Sequence, residues 1–342
     1  MSADWTWTDA AGLCVEGRGW PDTEGPYDRL PARAKAQVRD AVWSLSRCPT
    51  GVTVRFETDA RELRARWRLA EATLSGVNLP ALAHSGLDLY GQAGDGSWRW
   101  LGVTRELAGA EAESPFLTAP LDGRRRQCKV YLSTFNPVLR LAIGVPKGST
   151  VRIVSPRPEK PVAYYGTSIV HGAGVSRPGM THVAILGRRL DYPVLNLGFS
   201  GNALMEPEVA ELLAELDPAV YLLDELPNMG AALVEERAEA FVLRLHEARP
   251  RTPIVLVEDR TYPAGWACPS QAAENLSRRA AYKQVFGRLL GAGVGPLYYL
   301  EGDGLLGTDG DGTNDGSHTN DLGASRMADA LVPVLRRILF GL

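Results

Sequence analysis

The chain has 342 residues, 45% of them apolar and 23% charged, the proportions of a folded globular protein rather than a disordered one. Lys and Arg number 37 against 40 Asp and Glu, a formal net charge of −3, which lacks the basic excess of a general nucleic-acid binder. No apolar run approaches the roughly 18 residues of a membrane helix, and the opening Met1-Ser2-Ala3-Asp4-Trp5 has neither the basic nor the apolar region of a signal peptide, so we expect a cytoplasmic chain with no membrane partner.

At about 150 residues per domain the length suggests two domains. Residues 1–154 read as β. A helix is expected near 31–44, with Ala34, Val38, Ala41 and Val42 at helical spacing. Val52, Val54 and Phe56 then alternate with Thr53, Arg55 and Glu57, and Leu63, Ala65, Trp67 and Leu69 alternate with Arg64, Arg66 and Arg68. A period of two marks half-buried antiparallel strands with one wet face. Further strands are expected at 87–90, 98–103, 127–132 and 139–145, separated by turn residues, as in a β-sandwich. Trp20, Trp98 and Trp100 are expected in its core, and Arg124-Arg125-Arg126 in a solvated turn. The four cysteines, Cys14, Cys48, Cys128 and Cys268, form no CxxC motif and are expected as reduced thiols.

Residues 155–161, Ser-Pro-Arg-Pro-Glu-Lys-Pro, read as a stiff linker. From 162 to 342 strand-like runs alternate with amphipathic helices. Strands are expected at 162–165, 194–197, 220–223, 254–257 and 297–300. The helix between the second and third carries Val209, Leu212, Leu213 and Leu216 in one stripe; the next carries Val234, Ala238, Phe241 and Leu245; the last runs from Met327 to Ile338, with a kink expected at Pro333. Alternating strands and helices imply a parallel sheet covered on both faces, in which ligands sit beyond the carboxyl ends of the strands.

Those ends carry the chemistry. The first strand ends in Gly166-Thr167-Ser168, the second runs into Gly198-Phe199-Ser200-Gly201-Asn202, the third into Asp224-Glu225-Leu226-Pro227-Asn228, and Asp315-Gly316-Ser317-His318 follows the fifth. A hydroxyl, an imidazole with an acid three residues before it, and a set of N–H donors are the parts for acyl transfer through a serine. A Ser before a helix usually caps it, yet the accompanying motifs favour a nucleophile at Ser168. Ser200 is a rival that lacks the last Gly of a Gly-x-Ser-x-Gly elbow. Of five histidines only His318 has an acid at i−3; His171 is placed lining the pocket, and His84, His182 and His246 are structural. Asp224 and Glu225 either line the site or cap the following helix. Asp309 to Asn314 fails the EF-hand pattern and Gly172-Ala-Gly174 fails as a dinucleotide fingerprint, so no metal and no cofactor is expected.

The four motifs together resemble the SGNH (GDSL-type) hydrolase superfamily, whose marker residues correspond to Ser168, Gly201, Asn228 and His318. Gly86-Leu87-Asp88-Leu89-Tyr90 matches the Gly-x-Asp-Leu-Tyr signature of a subfamily with an N-terminal β-sandwich. Gly-Thr-Ser stands for the usual Gly-Asp-Ser, Leu-Pro-Asn-Met for Gly-x-Asn-Asp, and Thr319 for a common Pro. The resemblance implies a jelly-roll-like sandwich before a flavodoxin-like α/β/α domain with a five-stranded parallel sheet. It implies Ser168 as nucleophile, His318 as its base, Asp315 as the group orienting His318, and the backbone N–H groups of Ser168 and Gly201 with the Asn228 side chain as the oxyanion hole. The expected activity is hydrolysis of short-chain acyl esters, with an acetylated carbohydrate or polyol as the small-molecule partner. The same residues serve an acyltransferase, and a carbohydrate-binding protein would have a broken triad. No amphipathic lid for a lipid interface is present. Whether the sandwich contributes to the pocket is left open by the sequence, the polar stretch 27–31 being the first place to look, and residues 260–269 read as a surface loop that can fold over it.

Overall fold

The period-two patterning of the first half yields two facing antiparallel sheets. The computed structural model describes residues 4–342; residues 1–3, part of the stretch read as lacking a signal peptide, lie outside the described residues. The strands are β1 (Trp5–Asp9), β2 (Cys14–Glu16), β3 (Thr53–Thr58), β4 (Arg64–Leu69), β5 (Asp88–Gln92), β6 (Trp98–Val103), β7 (Glu111–Pro115), β8 (Arg126–Tyr131), β9 (Val138–Pro146) and β10 (Val151–Ile153). One sheet is ordered β1-β9-β4-β7; the other is β10-β3-β8-β5-β6, with β2 beside β3. Val54 and Phe56 of β3, Ala65 and Trp67 of β4, Val130 of β8 and Ile143 of β9 share one core between the sheets. All four cysteines are free.

Four strands escaped the apolar pattern. β7 reads Glu-Ala-Glu-Ser-Pro and sits at a sheet edge, where Glu113 meets Arg64 and Arg66 of β4 and no apolar alternation is needed. β1, β2 and β10 are likewise short or peripheral. The helix expected near 31–44 is broken into a 3-10 turn, Ala32–Ala36, and α1 (Asp40–Ser46). Arg39 between them is extended, with ψ 146°, which sends its guanidinium to Glu206. Ala34, Val38 and Val42 are buried as expected, with Trp43, Trp20 and Leu30, but into the core of the second half, whereas Ala41 of the predicted stripe is exposed. Trp98 is buried as expected; Trp100 is 49% exposed and corrects that reading, its indole Nε1 tied to Asp88 and the Arg177 guanidinium over its ring.

The second half forms β11 (Val162–Gly166), β12 (Val194–Gly198), β13 (Val220–Asp224), β14 (Ile254–Val257) and β15 (Leu297–Leu300), a parallel sheet ordered β12-β11-β13-β14-β15. All five predicted strands are present. After the one-turn α2 (Ala81–His84) in the first half, the helices are α3 (Ser168–His171), α4 (His182–Leu190), α5 (Pro207–Glu215), α6 (Ala231–Ala248), α7 (Pro269–Gly291) and α8 (Asp321–Phe340), which continues through Pro333. Ala163, Tyr165, Leu197, Tyr221 and Leu256 pack against α5, α6 and α7; Val162, Tyr164, Leu222 and Val255 pack against α4 and α8. This strand order puts the reversal of connection beside β11.

The Gly86–Tyr90 motif acts at the junction of the two halves. Asp88 is fully buried and accepts from Arg177 Nη1 at 2.6 Å, the Gly179 N–H at 2.9 Å and Trp100 Nε1 at 2.8 Å. A carboxylate shared by three donors, two of them on the segment before α4, fixes that segment against the sandwich.

Candidate active site

Gly166 ends β11, and Thr167 caps α3 by accepting the Ile169 N–H at 3.4 Å. The cap is therefore Thr167, and Ser168 is the first residue of the helix. Its backbone N–H has no intrahelical acceptor at that position. α3 lies directly on the end of β12: a Cβ on Gly198 would stand 2.2 Å from the His171 backbone N, so only glycine allows this approach.

The Ser168 Oγ is 2.8 Å from His318 Nε2. His318 Nδ1 is 2.7 Å from Asp315 Oδ2. Asp315 Oδ1 accepts the backbone N–H groups of Ser317 at 3.0 Å and His318 at 2.8 Å. The loop is folded on itself by Asn314 N–H donating to the His318 carbonyl at 2.9 Å and by Asn320 Nδ2 donating to the Asp311 carbonyl at 2.6 Å. Partial burial works against the Asp315 carboxylate, but donation from the His318 N–H and imidazole, Asn78 and Ser317 outweighs it and holds its pKa near 2. Asp315 is thus ionised at neutral pH and accepts the Nδ1 proton, which leaves Nε2 free as acceptor for the serine hydroxyl.

Asn228 lies in a 3-10 turn, Leu226–Asn228, and its Nδ2 donates to the Asn202 carbonyl at 2.6 Å. One amide hydrogen is used there and the other is free for a ligand. Gly201, in the same turn as Asn202, has φ +67° and open space at its Cβ position; its glycine is required by backbone conformation, not by crowding. The Phe199 N–H donates to the Gly166 carbonyl at 2.8 Å, which joins the turn carrying Gly201 to the end of β11. So Ser168, His318 and Asp315 form one hydrogen-bonded chain, and Gly201 and Asn228 form a second cluster at the adjoining strand ends.

Several expectations are corrected. His171 does not line a pocket: it is fully buried, stacked on Phe135 at 4.0 Å, with Nε2 2.8 Å from the Thr134 carbonyl. Asp224 neither lines the site nor caps a helix; it is buried against Arg260 Nη2 at 2.7 Å and the Tyr164 hydroxyl at 3.1 Å. The stretch 27–31 does not enter the site. Arg29 is fully buried beneath it, donating to the carbonyls of Asn196 and Gly198. From the sandwich Asn78 reaches the site, its Nδ2 donating to Asp315 Oδ2 at 2.9 Å. Arg278 of α7 was also unforeseen; it donates to the Leu226 and Pro227 carbonyls and so fixes the turn carrying Asn228. The 260–269 segment is anchored at Arg260 while Trp266 stands 91% exposed. Among the described residues, no three His, Cys, Asp or Glu side chains gather as metal ligands.

Glu225 is fully buried, and burial with the Asp224 charge beside it pushes its pKa up to about 8. The folded protein then holds a proton that the unfolded chain releases above the ordinary Glu value, so stability falls as pH rises from about 4.5 to 8. Glu225→Gln is expected to raise the urea midpoint at pH 8 by the equivalent of about 2 kcal/mol or more and to change it little at pH 5. An equal shift at both pH values would contradict an uncharged Glu225.

A family model described as the GDSL-like Lipase/Acylhydrolase family matches residues 159–336, and one described as the N-terminus of Esterase_SGNH_hydro-type matches residues 5–151. Among solved structures, a protein described as a GDSL-like lipase from Bacteroides ovatus ATCC 8483 is 30% identical, with 98% of each chain covered and a TM-score of 0.93. The salicylyl-acyltransferase SsfX3 from a tetracycline biosynthetic pathway is 20% identical, with 96% of this chain and 95% of that one covered and a TM-score of 0.75. A family two carbohydrate esterase from Clostridium thermocellum, in complex with cellohexaose, is 13% identical over 86% of this chain and 94% of that one, with a TM-score of 0.59. At those two identities the likeness is one of fold. A search of curated protein sequences finds no match.

Proposed function

Because the chain belongs to the GDSL-like lipase/acylhydrolase family and is an esterase-type hydrolase, we propose that Ser168, His318 and Asp315 hydrolyse short-chain acyl esters of a carbohydrate or other polyol. The observation that carries this reading is the chain Ser168 Oγ to His318 Nε2 at 2.8 Å and His318 Nδ1 to Asp315 Oδ2 at 2.7 Å, placed at the carboxyl ends of a parallel sheet. We place the division of the chain into sandwich, linker and hydrolase domain at residues 155–161.

In the proposed reaction His318 Nε2 removes the Ser168 proton as Oγ attacks the ester carbonyl. The carbonyl oxygen becomes an oxyanion and accepts from the N–H groups of Ser168 and Gly201 and from Asn228 Nδ2. The imidazolium, stabilised by Asp315, returns its proton to the leaving alcohol as the C–O bond breaks. An acyl-serine remains. Water then attacks it, giving a proton to His318, and collapse releases the acid and restores the Ser168 hydroxyl.

The choice of a polyol rests on analogy with the carbohydrate esterase of similar fold, and that of a short acyl group on family analogy alone. It is tested with p-nitrophenyl acetate beside p-nitrophenyl octanoate, followed by an acetylated sugar. Expected are a kcat/KM at least about 10-fold higher on acetate, worth about 1.4 kcal/mol in the transition state, and release of acetate from the sugar. A preference for octanoate would overturn the acyl assignment. Transfer to an added alcohol in place of hydrolysis would instead make the enzyme an acyltransferase on the same residues.

A further inference from the structure

We infer that Asn78, on a loop of the sandwich, is a positioning residue that fixes the Asp315 carboxylate against His318. The inference rests on the proposed roles of Ser168, His318 and Asp315.

The loop is built to present this side chain. Asn136 Nδ2 donates to the carbonyls of Glu71 and Thr73 at 3.0 and 3.2 Å, holding the start of the loop. Gly76 and Leu79 exchange backbone hydrogen bonds of 2.8 and 3.2 Å, which pinches Val77 and Asn78 into a tight turn. Pro80 then leads straight into α2. Val77 at the tip is wholly exposed, whereas Asn78 turns inward to Asp315. Its Nδ2 lies 2.9 Å from Asp315 Oδ2 and 3.1 Å from His318 Nδ1. With the Nδ1 proton directed at Asp315, the amide donates to the carboxylate and merely abuts the ring.

This oxygen, Oδ2, is also the acceptor of the Nδ1–H. The two Asp315 oxygens are therefore fully engaged: Oδ1 by two N–H groups of its own loop and Oδ2 by His318 and Asn78. Asp315 sits at 37% exposure on a loop with two positive-φ glycines within six residues, Gly310 and Gly316. Without Asn78, only its own loop and the imidazole would define its rotamer. Among the described residues the side chains within hydrogen-bond distance of the His318 ring are Asp315, Asn78 and, across Nε2, Ser168; of these only Asp315 is charged, and no other ion pair involves either His318 or Asp315. Asn78 is neutral, so it orients the carboxylate without adding charge to the site.

The test uses full-length protein, p-nitrophenyl acetate and two variants, with Ser168→Ala as reference. Asn78→Ala is expected to lower kcat about 10-fold with KM unchanged, as for loss of an interaction that matters only in the transition state. Asn78→Asp, nearly isosteric, places a second carboxylate against the ring. That favours the imidazolium, so His318 stays protonated to higher pH. The acid limb of kcat/KM is expected to move up by about one pH unit or more. A structural role alone would lower the melting temperature of Asn78→Ala while leaving its kcat per active site in place; that result, or wild-type behaviour in both variants, overturns the inference. Hydrolysis surviving in Ser168→Ala would instead overturn the reading on which it rests.

Discussion

Ser168→Ala loses ester hydrolysis by a factor on the order of 10⁴ to 10⁶ in kcat, with little change in KM or in melting temperature. Its Oγ touches His318 Nε2 and no other side chain among the described bonds, so truncation removes the nucleophile while leaving the Thr167 cap of α3 and the buried packing of Ile169 and Val170 intact. His318→Ala should fall almost as far, because an unassisted hydroxyl is a weak nucleophile. Combining the two should cost little more than either alone, since both act in one proton transfer. Steady-state rates corrected for folded protein measure this. Retention of a tenth of wild-type activity in Ser168→Ala would move the nucleophile elsewhere, with Ser200 next in order.

Arg29→Met produces the largest expected loss of stability. The guanidinium is fully buried with no carboxylate partner among the described residues; it is held by the carbonyls of Leu45 at 2.7 Å, Cys48 at 2.7 Å, Asn196 at 2.9 Å and Gly198 at 2.8 Å, and lies 4.9 Å from the Phe199 ring centre. Burial draws its pKa down to about 10, which leaves it cationic at neutral pH. Methionine fills much of the volume but offers no N–H. Four carbonyls then lose the guanidinium, that of Leu45 keeping another donor, the Cys48 N–H at 3.1 Å, at roughly 1 kcal/mol or more for each one left unpaired, offset in part by relief from burying a lone cation. A net loss of about 3 kcal/mol is expected, read as a lower urea midpoint with unchanged slope. Because two of the carbonyls end β12, just before the Gly201 turn, kcat should fall as well. A variant within about 0.5 kcal/mol of wild type would mean that water replaces the guanidinium.

The contrast between Ser168 and Arg29 separates what the sequence discloses from what it hides. The five parallel strands are covered on both faces, so each appears as an apolar run, and the residues after each run are necessarily at the ligand-binding edge. Ser168, Asn228 and His318 could be found by that rule together with the family resemblance. The Asp315 role followed from its spacing to His318. Asn78 and Arg29 obey no such rule: their partners are 237 and 167 positions away, and only the packing of the first half of the chain on the second brings them together. α7 escaped for a different reason. Its first half buries Asn275, Arg278 and Arg279 in place of apolar residues, so the amphipathic stripe is interrupted where the helix supports Asp259 and the Asn228 turn. The expected helix at 31–44 is interrupted at Arg39, whose non-helical backbone directs its guanidinium to Glu206, and Ala41 of its apolar stripe is exposed.

The most direct test of the account is covalent labelling of the enzyme with diethyl p-nitrophenyl phosphate, followed by peptide mass spectrometry. One diethylphosphoryl group per chain on Ser168, with release of one p-nitrophenolate and loss of activity in proportion, is the expected result; the Ser168→Ala protein should take up none. Labelling at Ser200, or rapid turnover with no label on Ser168, would contradict a serine nucleophile at the end of β11.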